Sequence, residues 1–183
     1  MERKYIILIV VGIIILIILA SYIGTVNILK KYKLKIKEAL SGIDVGLSKR
    51  YNVITNLVEV VKGYAKHEKE TLIGVINFRN NMNLNELKDI NKTLDETMNK
   101  INIIIEKYPD IKANENFLNL QKAIVDCEEH LSASRRIYNA NVSLYNEKVI
   151  SFPTLIVAKI HGFKEEEYFK ASEEEKDARV NLE

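Results

Sequence analysis

The chain has one cysteine, two prolines, no tryptophan and seven glycines in 183 residues. A single thiol, Cys127, excludes an intramolecular disulfide framework and a zinc site built from cysteines. So few glycines and prolines argue against a β-sandwich with its many turns, and against a Pro/Gly-rich disordered chain. Excess charge of one sign is missing too: 27 basic and 25 acidic residues leave a net charge of +2. No global polycation therefore points to nucleic acid. The length leaves room for one domain and little more.

Apolar residues concentrate at the amino end. Positions 6–20 hold thirteen Ile, Leu or Val residues in fifteen, and no charge occurs between Lys4 and Lys30. Twenty-five uncharged residues in a helix reach about 37 Å, against roughly 30 Å of bilayer hydrocarbon. Tyr5 and Tyr22 stand about 26 Å apart on such a helix, near the two interfaces. The competing reading is a cleaved signal peptide, whose apolar core stops by about 15 residues. Here apolar character continues through Tyr22, Ile23 and Val26, and the Ile18-Leu19-Ala20 site has a bulky outer residue. A retained single-pass membrane anchor is the expectation. Arg3 and Lys4 precede the span, whereas Lys30, Lys31, Lys33, Lys35 and Lys37 follow it. The side richer in Lys and Arg stays in the cytoplasm, which favours an amino terminus outside and a cytoplasmic bundle. The opposite topology stays open. The five lysines read either as that topology signal or as a membrane-surface contact with anionic headgroups.

Beyond the anchor, apolar residues recur every three or four positions, which is helix spacing. Leu29, Ile36, Leu40, Ile43, Leu47, Ile54, Leu57 and Val61 trace one stripe, with Tyr51 near its edge. A second runs through Leu84, Leu87, Ile90, Leu94, Met98, Ile101, Ile104 and Tyr108. The third comprises Phe117, Leu120, Ile124, Cys127, Leu131, Ser134, Tyr138, Tyr145, Val149 and Phe152. A shorter amphipathic piece lies at Leu72, Val75, Ile76 and Arg79. Asn83 with Glu86 three residues on predicts an N-cap, and Pro109 and Pro153 predict helix ends just before them. Gly42 and Gly46, one turn apart, read as a packing notch or as a docking surface. Long amphipathic helices must bury their stripes against one another. The expected fold is all-α, an N-terminal transmembrane helix followed by an antiparallel long-helix (four-helix) bundle. The expected organisation is an anchor at 1–26, a bundle at 27–170 and an acidic tail at 171–183.

Signals for chemistry are sparse. His67-Glu68-Lys69-Glu70-Thr71 lacks the second His that a zinc protease helix places one turn on. No Glu-x-x-His pair supports a di-iron bundle, and no phosphate loop, nucleophile elbow or dinucleotide fingerprint occurs. No catalytic residue, metal or cofactor is expected. His130 and His161 read as surface residues, and Cys127, on an apolar stripe, as a small buried hydrophobe. The densest polar residues are Asp44, Arg50, Asn56 and Glu59 on one helix, and Arg135, Arg136, Asn139 and Asn146 on another. They form a candidate patch that either fixes helix register or lines a polar recognition groove. The stretch Ile150 to Ile160 is apolar almost all round and too short to span a bilayer. It either caps the bundle core or meets a membrane or partner surface.

Dispersed motifs in a fixed order carry a resemblance. They include Ile43-Asp44-Val45, Arg50-Tyr51, Asn56-Leu57-Val58-Glu59 and the run from Val61 to Glu68. Tyr108-Pro109, the run from Lys112 to Phe117, Arg135-Arg136, Tyr138-Asn139, Tyr145-Asn146, Phe152-Pro153 and Gly162-Phe163 follow. On these the chain resembles the LemA family of bacterial membrane-anchored proteins along its whole length. The resemblance implies a membrane-anchored helical bundle with a small external amino terminus and no established catalytic residues. Departures are Thr55 where the family usually has Pro, Leu40 for Trp, and Leu155 and His161 for Asn and Phe. Without that Pro the first helix either breaks near Thr55 or runs on. In a three-pass arrangement, running on is expected to leave Phe152-Pro153 about 55 Å from the membrane end. The expected function is a non-enzymatic interaction or scaffold protein at the membrane. A lipid-sensing or membrane-shaping protein is the alternative, and an envelope enzyme ranks last. Expected partners are the membrane and a protein, with a second copy of the chain left open and nucleic acid excluded.

Overall fold

The computed structural model describes residues 2–65 and 82–170. They form helices α1 (Glu2–Tyr64), α2 (Leu84–Lys107), α3 (Glu115–Ile150) and α4 (Thr154–Ile160), with a 3-10 turn at Pro109–Ala113 before α3. The fold is all-α, as the three-four spacing dictates. His67, Gly74, the piece at Leu72–Arg79 and the tail at 171–183 lie outside the described residues.

α1 is a single helix of 63 residues that contains both the apolar anchor and the first amphipathic stripe. No proline falls within it. At Thr55 the hydroxyl donates to the Tyr51 carbonyl 2.8 Å away, satisfying the side chain inside the helix instead of breaking it. The stripe faces inward: Ile43, Leu47, Ile54, Leu57 and Val61 are buried, whereas residues 5–20 are all exposed. α1 is the one helix among the described residues long and apolar enough to cross a membrane.

Helix boundaries follow local chemistry. Asn83 accepts from the Asn85 and Glu86 amides at 3.0 Å, and Glu86 accepts from the Asn83 amide at 2.8 Å. This capping box satisfies donors that the first turn of α2 cannot pair internally. α2 stops at Lys107 because Tyr108 precedes Pro109 and takes a non-helical conformation. Asn114 caps α3 through the Phe117 amide and donates its own amide to the Tyr64 hydroxyl at 2.9 Å.

Two compact units divide the chain. The first takes in the chain up to Lys37 together with Asn139–Tyr168; the second runs from Glu38 to Tyr138, with Phe169 joining it. In the second unit α1 and α3 are antiparallel. A Cβ on Gly42 would lie 3.7 Å from Ser134 Oγ, and one on Gly46 would lie 3.4 Å from Leu131 Cδ1, while Tyr64 meets Asn114. Both Cβ contacts would be ordinary van der Waals contacts, so this face of α1 packs on α3 with room for a methyl group at either position, and the approach does not depend on glycine. α2 lies parallel to α1, since Arg50 meets Asn91 and Asp95 while the end of α2 leads directly to Asn114 beside Tyr64.

The first unit holds the amino-terminal part of α1, the end of α3, α4 and an extended stretch at 163–168. Val26, Leu29, Ile36, Val142, Tyr145, Val149, Val157 and Ala158 are its buried apolar residues. Here two expectations need correcting. Phe152 does not continue the third stripe: α3 ends at Ile150, and the Phe152 ring is 80% exposed. Nor does an unbroken α1 leave Phe152-Pro153 at a distal end. His161, eight residues past Pro153, lies 2.8 Å from the Tyr22 hydroxyl. The three-pass estimate fails because α2 runs parallel to α1, so the number of described helices does not set which end α3 reaches.

Candidate functional site

In the second unit, polar residues from α1, α2 and α3 converge on one guanidinium. Arg50 is 5% exposed. Its terminal nitrogens donate to Asn91 Oδ1 at 2.9 Å and to Asp95 Oδ1 at 2.6 Å. Glu128 Oε1 lies 2.6 Å from Arg50 Nε, but off the N–H direction, so that contact is ionic without being a good hydrogen bond. Arg135 also donates to Asn91 Oδ1, at 2.7 Å, and the Asn91 amide donates to Asp95 Oδ2 at 3.1 Å. The Arg135 guanidinium sits 5.1 Å from the Phe169 ring centroid, a cation–π contact that brings Phe169 against α3. The Asn91 amide links both guanidiniums to Asp95, and Glu128 adds a second carboxylate beside Arg50. The buried charges are thus paired, although Arg50 Nε finds no well-aligned acceptor.

Cys127 is buried in the same unit, and its thiol titrates above its ordinary range. Desolvation is the main cause, with the Glu128 carboxylate adding to it. A thiol held neutral is a weak nucleophile, which agrees with its place on the apolar stripe.

The first unit is organised around α1 near its anchor. Lys30, Lys31, Lys33, Lys35 and Lys37 are all exposed. Lys33 pairs with Glu166 at 3.1 Å, and Lys35 lies 5.9 Å from the Tyr32 ring centroid. Asn146, 8% exposed, clamps the extended stretch by its backbone. Its amide donates to the Glu166 carbonyl and its oxygen accepts from the Glu166 amide, both at 2.9 Å. The Tyr145 hydroxyl is buried with no hydrogen-bond partner among the described residues. Burial, and secondarily the Glu166 carboxylate, raise its pKa.

Of the candidate patch, the structure brings Arg50 and Arg135 together. Asp44 and Asn139 are half-buried, while Asn56, Glu59 and Arg136 are exposed, and Glu59 pairs with Lys62 on its own helix. Asn146 does different work, in the other unit. Sequence reading missed Asn91, Asp95, Glu128 and Phe169. Asn91 carried a signal: it occupies a core position between Leu87 and Leu94, where only a paired polar group belongs. Among the described residues no cluster of His, Cys, Asp and Glu is arranged to hold a metal.

Comparison with known proteins gives a family model, that of the LemA family, matching residues 39–183. The chain is 28% identical to Protein LemA of Metamycoplasma hominis over 160 residues, covering 85% of this chain and 73% of that protein. Shorter matches reach magnetosome proteins. One is MamQ of Magnetospirillum gryphiswaldense, 29% identical over 72 residues, 39% of this chain and 26% of that protein. Another is MamQ 2 of Paramagnetospirillum magneticum, 30% identical over 73 residues, 40% and 27% respectively. These last matches span about a quarter of the length of the magnetosome proteins.

Proposed function

This chain belongs to the LemA family, and from that premise we propose that it is a membrane-anchored, non-enzymatic interaction protein. In this reading the span keeps the amino terminus outside and holds the bundle beside the cytoplasmic face, where it recruits or retains a protein partner. One observation carries it. The densest polar constellation among the described residues, around Arg50, is closed on itself. Asp95 and Glu128 are both held by Arg50 and Arg135 is held by Asn91, an arrangement suited to fixing helix alignment and not to presenting a poised acid, base or nucleophile.

Two measurements on the full chain test the proposal. With Cys127→Ser and Glu2→Cys, an impermeant maleimide applied to intact cells is expected to label position 2. Labelling only after lysis would reverse the topology and with it the compartment of the partner. In the same cells, photo-crosslinkers on exposed faces of α2 and α3 are expected to trap one reproducible protein band. Traces indistinguishable from an anchor-only control would count decisively against a recruiting role. A second reading has its own support: five exposed lysines directly follow the span, a position where each can gain about 1 kcal/mol from anionic lipid. Replacing all five with Gln should then reduce enrichment of anionic lipid around the reconstituted protein, and that enrichment should weaken with salt.

A further inference from the structure

The end of the span and the α3–α4 corner belong to one unit, and their contacts fix the depth of that corner. Uncharged sequence runs from Tyr5 to Leu29. Roughly 30 Å of hydrocarbon takes about twenty helical residues. Counted from Tyr5 or centred on the stretch, its far edge falls at residue 25 to 27. Tyr22 therefore lies on the bilayer side of that edge, and the ring of His161, just past α4, is bonded to it at 2.8 Å. The Phe163 ring is 6.0 Å from His161. From there the extended stretch leads away from the membrane, reaching Lys33 at Glu166. The chain around α4 cannot clear the bilayer while these contacts hold.

Its chemistry suits that depth. Between Val149 and Phe163 the single formal charge is Lys159, whose long side chain can snorkel to the headgroups. Charges resume immediately with Lys164, Glu165, Glu166 and Glu167. α4 buries Val157 and Ala158 in the unit, yet Phe152, Ile156 and Ile160 are 80%, 53% and 65% exposed. In an aqueous setting such a patch on so short an element is costly; against lipid it is not.

The backbone is prepared as well. A short helix at an apolar depth must satisfy its own ends. At the start of α4 the Leu155 amide bonds the Ser151 carbonyl and the Ile156 amide that of Pro153, while the Thr154 hydroxyl shares its one hydrogen between the Lys148 and Ser151 carbonyls. At its end Gly162, with φ of 68°, turns the chain in the left-handed region. The Phe163 amide then reaches Ala158 and the Gly162 amide reaches Lys159, a Schellman closure.

We propose that the α3–α4 corner is a second membrane element, a shallow wedge whose Phe152, Ile156 and Ile160 side chains enter the lipid interface beside the span. The occupant of this apolar face is the bilayer itself, since the His161–Tyr22 bond sets the end of α4 beside the span, on the bilayer side of its edge. This inference does not rest on the recruiting role and survives its failure.

The test uses the full chain with Cys127→Ser, reconstituted in phosphatidylcholine–phosphatidylglycerol vesicles. An environment-sensitive fluorophore is placed at Phe152→Cys, Ile156→Cys or Ile160→Cys, with Lys112→Cys as a water-exposed reference and Ile14→Cys as a deep one. Retention of helical circular dichroism qualifies each variant. At the three corner sites, emission is expected to shift to the blue. A nitroxide lipid labelled near the headgroup should quench it several-fold more than one labelled at the chain end. Emission and quenching like those at position 112 would overturn the proposal. So would blue-shifted emission that no lipid nitroxide quenches, because protein, a second copy included, would then cover the face.

Discussion

The two units fasten their elements to one another by opposite means. Around Arg50 the joint is made of charges: one amide links two guanidiniums to Asp95, Glu128 adds a second carboxylate beside Arg50, and Arg50 is almost wholly removed from water. Around Asn146 it is made of neutral hydrogen bonds from one side chain to one stretch of backbone. The first joint is specific in its partners. The second is specific only in position. Buried charge tolerates no missing member, whereas an amide-to-backbone clamp fails gradually.

That contrast can be broken most easily at Arg50. Arg50→Met leaves Asp95 and Glu128 without their cation and is expected to cost about 3–5 kcal/mol. Denaturant unfolding of the full chain in detergent, followed by circular dichroism, reads this. A loss under about 1 kcal/mol would mean the layer behaves like a surface pair. Adding Asp95→Leu and Glu128→Met should recover only part of the loss, because the carboxylates no longer lack their cation but Arg135 and Asn91 stay behind without Asp95.

Asn146→Leu should have a smaller effect, about 1–3 kcal/mol for the unsatisfied backbone groups it leaves at Glu166. Hydrogen exchange at the Glu166 amide should quicken while exchange in α2 stays unchanged. Unaltered protection at Glu166 would show that the clamp holds nothing. Lys33→Gln should matter least. Its pair with Glu166 is substantially exposed, so less than about 1 kcal/mol is at stake, and exchange at Glu166 should barely respond.

Much of the fold was legible because it rests on local rules. The Asn83–Glu86 box, the stop before Pro109 and the buried faces of the first two stripes follow from neighbours within one turn. Gly42 and Gly46 marked a face that packs on another helix, but not a contact that needs glycine, since a methyl group at either position would sit at ordinary distance. The course of α1 through Thr55 was not settled by sequence, since the hydroxyl's local bond is visible only in three dimensions. Phe152 was misplaced because periodicity was carried two residues past the actual end of α3.

The site was legible only in halves. Arg50 and Arg135 stood out as cations on amphipathic helices, but the counter-charges of Arg50, Asp95 and Glu128, sit on helices distant from it in sequence. Asn91 and Asp95, one turn apart within an apolar stripe, are the pattern that would have located the layer. Nothing in the sequence could pair Asn146 with position 166, because the clamp reads main-chain atoms that every residue type but one supplies alike.

That indifference has an outcome for how the protein can change over generations. Since Asn146 grips peptide atoms, position 166 is free to exchange its side chain, and with it the local surface charge, without releasing the attachment. Variation should therefore accumulate at 166 and be resisted at 146. Proline alone is barred from position 166, for want of the hydrogen that the asparagine oxygen receives.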